Sequence, residues 1–279
     1  MRVKLWGTRG SIASPGPETI RYGGNTACVS VEGAEGTLLV LDAGTGIRRL
    51  TAAIPKNIRR IDILLTHLHL DHIQGLGFFG PLRDPDNVVH IWGPASTTLT
   101  LRERLSRYLS PPLFPVYMRD MTAAVQLHEV SGETFDIGEF TITSAPVVHM
   151  DPTIGYRLES GGKTVTYLPD HEPALGNQDF TVGKEWTSGY ALAEEADLLI
   201  HDAQYTSAEY DMFIGFGHSS ITHAFQFAAL AEAKQLVTFH HDPTHSDDQL
   251  DQLFDQHMGL MRPTFKVTPG AEGMLFELG

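Results

Sequence analysis

Residues 66–76 read THLHLDHIQGL and place His67, His69, Asp71 and His72 within six positions, directly after the apolar run IDILL. In extended backbone alternate side chains share a face, so His67 and His69 point the same way. Asp71 and His72 are adjacent, and a turn into helix at that point separates them from the first pair. The segment therefore offers two donor sets side by side, suited to two metal ions. Imidazole nitrogen mixed with carboxylate oxygen fits zinc, iron or manganese. The alternative is a histidine-rich surface loop, but a polar cluster closing a buried strand is costly without a partner. Further donors are expected from other strand ends. His149 closes the apolar run APVVH, and Asp170 closes VTYLPD, where one carboxylate could give an oxygen to each of two cations.

A second histidine-rich stretch, TFHHDPTH, spans residues 238–245. An HxxxH pair of His241 and His245 on a helix is excluded by Pro243, which would break the turn, and no glutamate follows His241 to act as base. His245 precedes Ser246, which forms a capping box with Gln249 and so starts a helix; His245 is expected outside it and solvated. The choice narrows to His240 or His241. Strand alternation puts His240 with Leu236 and Thr238, and His241 on the opposite face.

These residues need a scaffold that brings strand ends together. Strand-like runs occupy 3–7, 27–32, 37–44, 60–67 and 88–93, with helices expected over 46–54 and around 98–109. SPPLFPVYM (110–118) has too many prolines for helix or central strand and reads as a loop, either a wall or lid of the site or a packed connector. Strands resume with VQLHEV, EFTITSAPVVH, TIGYRLES and KTVTYLPD, and Gly161–Gly162 mark a hairpin turn between the last two. From 187 onward helix and strand alternate: a helix near 188–196, DLLIHD, a helix near 220–233, QLVTFH, and the helix after Ser246. A strand-rich first half and a βα-rich second half without a linker predict one layered α/β (α+β) domain over residues 1–279.

The 279 residues are 42% hydrophobic and 19% charged, the proportions of a globular protein. No apolar run approaches the ~20 residues that a bilayer requires. The N-terminus MRVKLWGTRGS lacks the apolar stretch of a secretion signal, and the single cysteine, Cys28, sits in a strand-like run as a buried, inert thiol; both fit a reducing cytoplasm. A net charge of −14 disfavours gripping a long polyanion. The basic groups Arg48–Arg49, Arg59–Arg60 and Arg102, Arg104 and Arg107 read as solvated helix faces. His90, His128, His223 and His257 read as surface positions. His171 and His201 each neighbour a candidate carboxylate and are expected to point away from it.

HLHLDH is the HxHxDH signature of the metallo-β-lactamase superfamily, and His149, Asp170 and a C-terminal histidine follow in the order that superfamily uses. The opening GTRGS, the strand end DAGTG (42–46) and GHSS (217–220) resemble the branch that contains the transfer-RNA 3′-processing endonuclease RNase Z and, in its neighbourhood, cyclic phosphate phosphodiesterases. The signature is specific for the superfamily and loose for the substrate, since lactonases and thioester hydrolases carry it too. The resemblance implies a four-layer αββα sandwich with a dinuclear site at one edge. It assigns His67, His69 and His149 to a first metal, Asp71, His72 and a C-terminal histidine to a second, and Asp170 to both, with Asp42 behind them. LVTFH resembles the ligand-bearing strand of RNase Z-like proteins and selects His240. The metals are expected to be two divalent ions, zinc with manganese or iron as alternatives, that activate a shared water.

GHSS implies a proton donor to the leaving group, His218, paired with Asp202 at the end of LLIHD. The family often has glutamate there, so the shorter side chain puts the contact in question. The first expectation is thus a phosphodiesterase acting on a small or cyclic phosphodiester, with no membrane partner, nucleic acid disfavoured, and a homodimer as an allowed assembly. A lactonase or other acyl hydrolase would use the same metals but have little use for His218, because a lactone's leaving group stays attached. From another class, a metal-holding signalling or binding module would keep the donors and show little turnover.

Overall fold

The computed structural model describes residues 1–173, 175 and 183–279. Strands β1 (Arg2–Gly7), β2 (Cys28–Glu32), β3 (Leu38–Leu41), β4 (Arg60–Leu64), β5 (Val88–Pro94) and β6 (Ala124–Val130) line up in chain order in one sheet. A second sheet takes β7 (Thr134–Ile137), β8 (Phe140–Pro146), β9 (Ile154–Ser160), β10 (Lys163–Leu168), β11 (Leu198–Asp202), β12 (Gln235–Phe239) and β13 (Lys266–Pro269). Finally β14 (Leu275–Glu277) returns to pair with β1. Strands β3 to β6 are parallel, and so are β10 to β13. Parallel pairing gathers the carboxyl ends of these strands along one edge of each sheet, where open α/β sheets present their loops to ligands.

Alternation along the strands makes the layers. In β4, Ile61 and Ile63 face Ile47 and Leu50 of α1 (Ile47–Thr51) and Leu101 and Leu105 of the helix over Leu101–Tyr108, which is α3. The short α2 (Leu70–Ile73) lies between those two in the chain. Leu64 faces the other way, into a core between the sheets with Tyr156, Leu158, Val165 and Tyr167. In β11, Leu198 and Ile200 join that inner core, while Leu199 packs outward. Short α4 (Tyr190–Ala193) and α5 (Ser207–Met212) precede α6 (Ile221–Leu230), whose Ala224, Phe225, Phe227 and Ala228 cover Leu199. The last helix, α7 (Asp247–Met261), begins at the capping box of Ser246 and Gln249 anticipated above. The result is the expected αββα sandwich. Among the described residues, no helix is long and apolar enough to cross a membrane.

Several expectations change. The helix foreseen over 188–196 is only Tyr190–Ala193, because Gly189 enters it and Glu195 leaves it with positive φ. The helix near 220–233 stops at Leu230, just before Glu232 turns to φ +54°. Strand β7, helix α5 and strands β13 and β14 carry too little periodicity to have been anticipated. The 110–118 segment is a packed connector: Phe114 and Met118 are buried among the α1 and α3 residues, while Leu113, Val116 and Tyr117 remain exposed. Cys28 is buried, and burial pushes its thiol well above the usual range.

The surface assignment of the spare histidines is overturned. His90 is buried and lies 2.9 Å from half-buried His128, which stacks on Trp92. His223 is buried edge-on to Tyr210, and His257 is buried with its Nδ1 donating to the Leu253 carbonyl. His245 is buried against Glu209, 3.0 Å away, instead of solvated. His171 and His201 do turn away from their neighbouring carboxylates, and they bond each other at 2.9 Å. Since His201 Nδ1 donates to the Asp202 carbonyl, its Nε2 accepts from His171.

Burial holds the His201 imidazole down to about 4. The folded chain therefore keeps His201 neutral where the unfolded chain, near 6.5, takes up a proton. Stability contributed by the neutral ring is complete above about pH 6.5 and is lost as pH falls towards 4, amounting to about 3 kcal/mol at the acid limit. Thermal melting in chelator across pH 4–7 should show a shallower acid slope for His201→Asn than for the wild type; equal slopes would remove His201 from the acid response.

Candidate metal centre

Strand β4 ends at Leu64, and the chain runs extended through His67 and His69 before α2 begins at Leu70. The rings of His67 and His69 meet edge to face, 4.4 Å between centroids, and His149 joins both from the loop after β8. Helix α2 swings Asp71 and His72 aside, as the sequence implied, and they meet His240 at the end of β12. The donor atoms of His67, His69, His149 and Asp170 lie within 4.8 Å of one another, and so do those of Asp71, His72 and His240.

Asp170 stands between the two sets. Its Oδ1 is 3.0 Å from His72 Nε2 and 3.3 Å from His240 Nε2; its Oδ2 is 3.7 Å from both His67 Nε2 and His149 Nε2. One oxygen thus faces each set. The backbone at His240 takes φ +59°, a left-handed conformation that non-glycine residues rarely hold, and it turns the ring off the strand into the cluster. His241 goes elsewhere: its Nε2 donates to the Gly270 carbonyl, and its ring stands edge-on to Tyr22.

The partners behind the imidazoles decide which nitrogen is bare. His72 Nδ1 donates to Asp42 at 2.7 Å, His240 Nδ1 to the Gln204 side-chain oxygen at 2.9 Å and His149 Nδ1 to the Gly217 carbonyl at 2.8 Å. The Thr66 hydroxyl lies within about 3.1 Å of both Asp42 oxygens and of His67 Nδ1, so it donates to the carboxylate and accepts from the ring. In every case Nε2 is the nitrogen aimed inward, the one that a metal requires in its deprotonated form. Among the described residues, His67 Nε2 and Asp170 Oδ1 are buried with no hydrogen-bond partner. Pairs of ring nitrogens also face each other at 3.2 Å (His149 and His69) and 3.4 Å (His72 and His240). Lone pairs pointed at a common space, together with a carboxylate in the same space, fit a cation, and this donor chemistry suits zinc, manganese or iron.

Charge follows the same division. Burial, reinforced by neighbouring imidazoles, keeps His67 well below the ordinary histidine range, and burial takes His149 down to about 4 despite Asp170. Burial also disfavours charge on His72, but Asp170, Asp71 and Asp42 outweigh it and push the ring well up. A cation entering the second set must therefore displace a proton.

His218 and Asp202 meet as the sequence proposed. Asp202, at the carboxyl end of β11, lies 2.7 Å from His218 Nδ1, so the shorter carboxylate reaches. Burial lowers the His218 pKa, yet Asp202 raises it more, to about 9. The ring stacks on His240 and stands edge-on to His149, next to both donor sets, and 12% of its side chain remains exposed. Ser220 caps α6, and Ser219 donates to the His171 carbonyl, so GHSS both starts a helix and presents His218. Gly217 has φ +86°, and a Cβ there would lie 2.3 Å from the His149 ring.

Some supporting residues were not singled out from the sequence. Glu172 is buried and accepts from the Tyr210 hydroxyl and from the Gly215 and Gly217 amides, which fixes the loop before His218. Gln204 and Thr66 orient His240 and His67. Arg9, from GTRGS, is wholly buried, pairs with Asp247 and donates to the Gly23, Asp242 and His245 carbonyls. The next residues of that loop bring the Ser11 amide 2.8 Å from Asp71. Thr66, inside the THLHLDH run, and Arg9 and Ser11, inside GTRGS, carried a positional signal, whereas Glu172 and Gln204 carried none.

The profile of the Beta-lactamase superfamily domain matches residues 37–241, from β3 to just past His240. The chain belongs to that superfamily. Within the superfamily it is 28% identical, over 244 residues, to Ribonuclease Z of Thermosynechococcus vestitus (strain NIES-2133 / IAM M-273 / BP-1), covering 71% of this chain and 56% of that protein. It therefore spans little more than half the length of that relative. Its fold is similar to human tRNase Z, short form (TM-score 0.69, 23% identity, all of both chains), and to a diphosphatase from the PhnP family (TM-score 0.70, 18% identity, 100% of this chain and 98% of the other). The expectation that nucleic acid is disfavoured, drawn from net charge and from the lack of a long Gly/Pro-rich arm, finds no support among relatives so named.

Metal content separates the two candidate histidines. His240→Ala should lower the metal bound per chain by about half, whereas His241→Ala should keep the wild-type content at some cost in melting temperature. Elemental analysis of both purified variants is the check, and the opposite pattern would reassign the donor.

Proposed function

We propose that the chain is a metal-dependent phosphodiesterase acting on a small or cyclic phosphodiester, with residues 1–279 forming one domain around the centre. His67, His69 and His149 hold one divalent cation, Asp71, His72 and His240 a second, and Asp170 contributes to both; zinc is the first candidate. When bound, the cations supply an acidified water at neutral pH and neutralise charge building on the phosphoryl oxygens. The observation that carries the reading is His218, held 2.7 Å from Asp202 at the rim of the cluster.

Asp202 accepts from Nδ1 and so presents Nε2–H of His218 outward, where it can protonate a leaving alkoxide. Cleaving a phosphodiester with an alcohol leaving group needs such a donor. Opening a lactone needs it far less, and a binding module has no use for it. Thr66, Asp42, Gln204 and the Gly217 carbonyl hold the imidazoles in one tautomer, so little reorganisation accompanies the reaction. A second reading, RNase Z-type cleavage of transfer RNA, draws support from the relatives that bear that name. It differs in substrate and not in the roles assigned to these side chains.

Loss of a general acid matters in proportion to the basicity of the leaving group. His218→Ala should slow hydrolysis of a 2′,3′-cyclic nucleotide on the order of 10²–10⁴-fold and affect bis(p-nitrophenyl) phosphate much less, with metal content unchanged. An equal loss on both substrates would assign His218 a structural role. Strong lactone turnover by the wild type, with no phosphodiester cleaved, would replace the proposed reaction.

A further inference from the structure

A cleft of about 430 Å³ opens beside the first donor set, and His69, Ser96, Thr98, Arg104, Arg107 and Asp151 are among the residues that line it. Arg104 and Arg107 are three positions apart on α3, and this spacing puts both on one helix face. Arg104 is largely buried: it donates to the Pro94 carbonyl, stands 3.7 Å from Glu129, and leaves its Nε without a hydrogen-bond partner among the described residues. Arg107 is exposed and has no acid within ion-pair distance among the described residues. Arg48, Arg83, Arg102 and Arg262 share that lack of an acid partner among the described residues, but of these five arginines Arg107 alone lines the cleft beside His69. The other arginines each lie against a carboxylate, and the chain as a whole carries a charge of −14.

Charge is also graded along the cleft. Asp151 stands 3.8 Å from His69 at the metal side, so an anionic group on the substrate is turned away there and drawn towards α3. The Ser96 and Thr98 hydroxyls lie on the loop between β5 and α3, 3.1 Å from each other, so one donates to its neighbour and the other offers a neutral donor of the kind that accompanies arginine in phosphate sites. The volume leaves room for a sugar-sized unit between the donor set and the helix. Past Arg107 a second cleft, of about 540 Å³, is bordered by Arg102, Tyr117 and Arg119, with Arg119 over the Tyr117 ring at 4.4 Å.

We infer that Arg107, backed by Arg104, binds a second phosphoryl group of the substrate, one sugar away from the phosphodiester that is cut. The inference rests on the phosphodiesterase reading for the bond broken, but not for the anion bound. The second phosphoryl group is either the terminal monoester of a small molecule or the next phosphodiester of an oligonucleotide that continues towards Arg119.

Thymidine 5′-(p-nitrophenyl phosphate), with and without a 3′-phosphate, tests this directly. The 3′-phosphorylated substrate should have a kcat/KM on the order of tenfold higher in the wild type. Arg107→Ala should bring the ratio to about one, and Arg107→Lys should restore part of it. In parallel, calorimetry on the metal-loaded protein should find thymidine 3′,5′-bisphosphate bound more tightly than thymidine 5′-monophosphate, with the advantage lost in Arg107→Ala. If the binding advantage behaves this way while neither ester is hydrolysed, the proposed reaction fails and the subsite stands. If the esters are hydrolysed and both ratios are the same in Arg107→Ala as in the wild type, the subsite is overturned. Replacing the 3′-monoester by a 3′-linked nucleotide separates the two sources: lost preference indicates a small phosphorylated molecule, and retained preference weakened by Arg119→Ala indicates an oligonucleotide.

Discussion

A single buried carboxylate, Asp42, organises the centre of this molecule. It lies at the end of β3 in a left-handed backbone conformation and has no solvent exposure. Its oxygens accept from the Thr66 amide, the Thr66 hydroxyl, His72 Nδ1 and the Tyr167 hydroxyl. A buried charge is tolerable only when its lone pairs are met, and here the donors that meet them come from both sheets. Through Thr66 the same carboxylate sets the tautomer of His67, and directly it sets that of His72. One side chain from each donor set is thereby oriented by one anion, which is why the two sets stand in register.

The surroundings reconcile an acidic protein with an anionic substrate. With the proposed pair of divalent cations set against Asp71 and Asp170, the reaction pocket would be positive. Charges farther than roughly 8–10 Å across the surface are screened at ordinary ionic strength. Net charge therefore says little about what can enter a pocket walled by imidazole and arginine. The charge of −14, spread over the whole surface, is thus a weak ground for disfavouring nucleic acid.

The strands were legible because period-two burial marks a strand whatever its neighbours, and His149, Asp170 and His240 stood out because each closes an apolar run; the sandwich and the full donor assignment came from the resemblance that HLHLDH carries. HLHLDH could be read as two donor sets because one helical turn at Leu70 suffices to divide it. The supports were harder to see. Glu172 meets Tyr210 and Gly217, Gln204 meets His240 and Arg9 meets Asp247 across 36 to 238 positions, and no local pattern records such distances. The histidines assigned to the surface failed for a related reason. A single imidazole within a polar strand face gives no sign that a second one, such as His128 beside His90, will arrive to share its burial. Short elements such as β7 and α5 lack the length for periodicity to emerge, and tertiary packing decides them.

The spread of the donors along the chain has a consequence for the order of folding. His67, His69, Asp71 and His72 are contiguous, whereas His149, Asp170 and His240 arrive from the other sheet, the last of them 168 residues beyond His72. Closing loops of that length is the slow part of assembling such a topology. On the proposed assignment, a nascent chain would meet a cation with its HLHLDH segment well before the second sheet docks. The ion would then reward the arrival of each further donor, acting as a rivet between the two halves of the sandwich as they close.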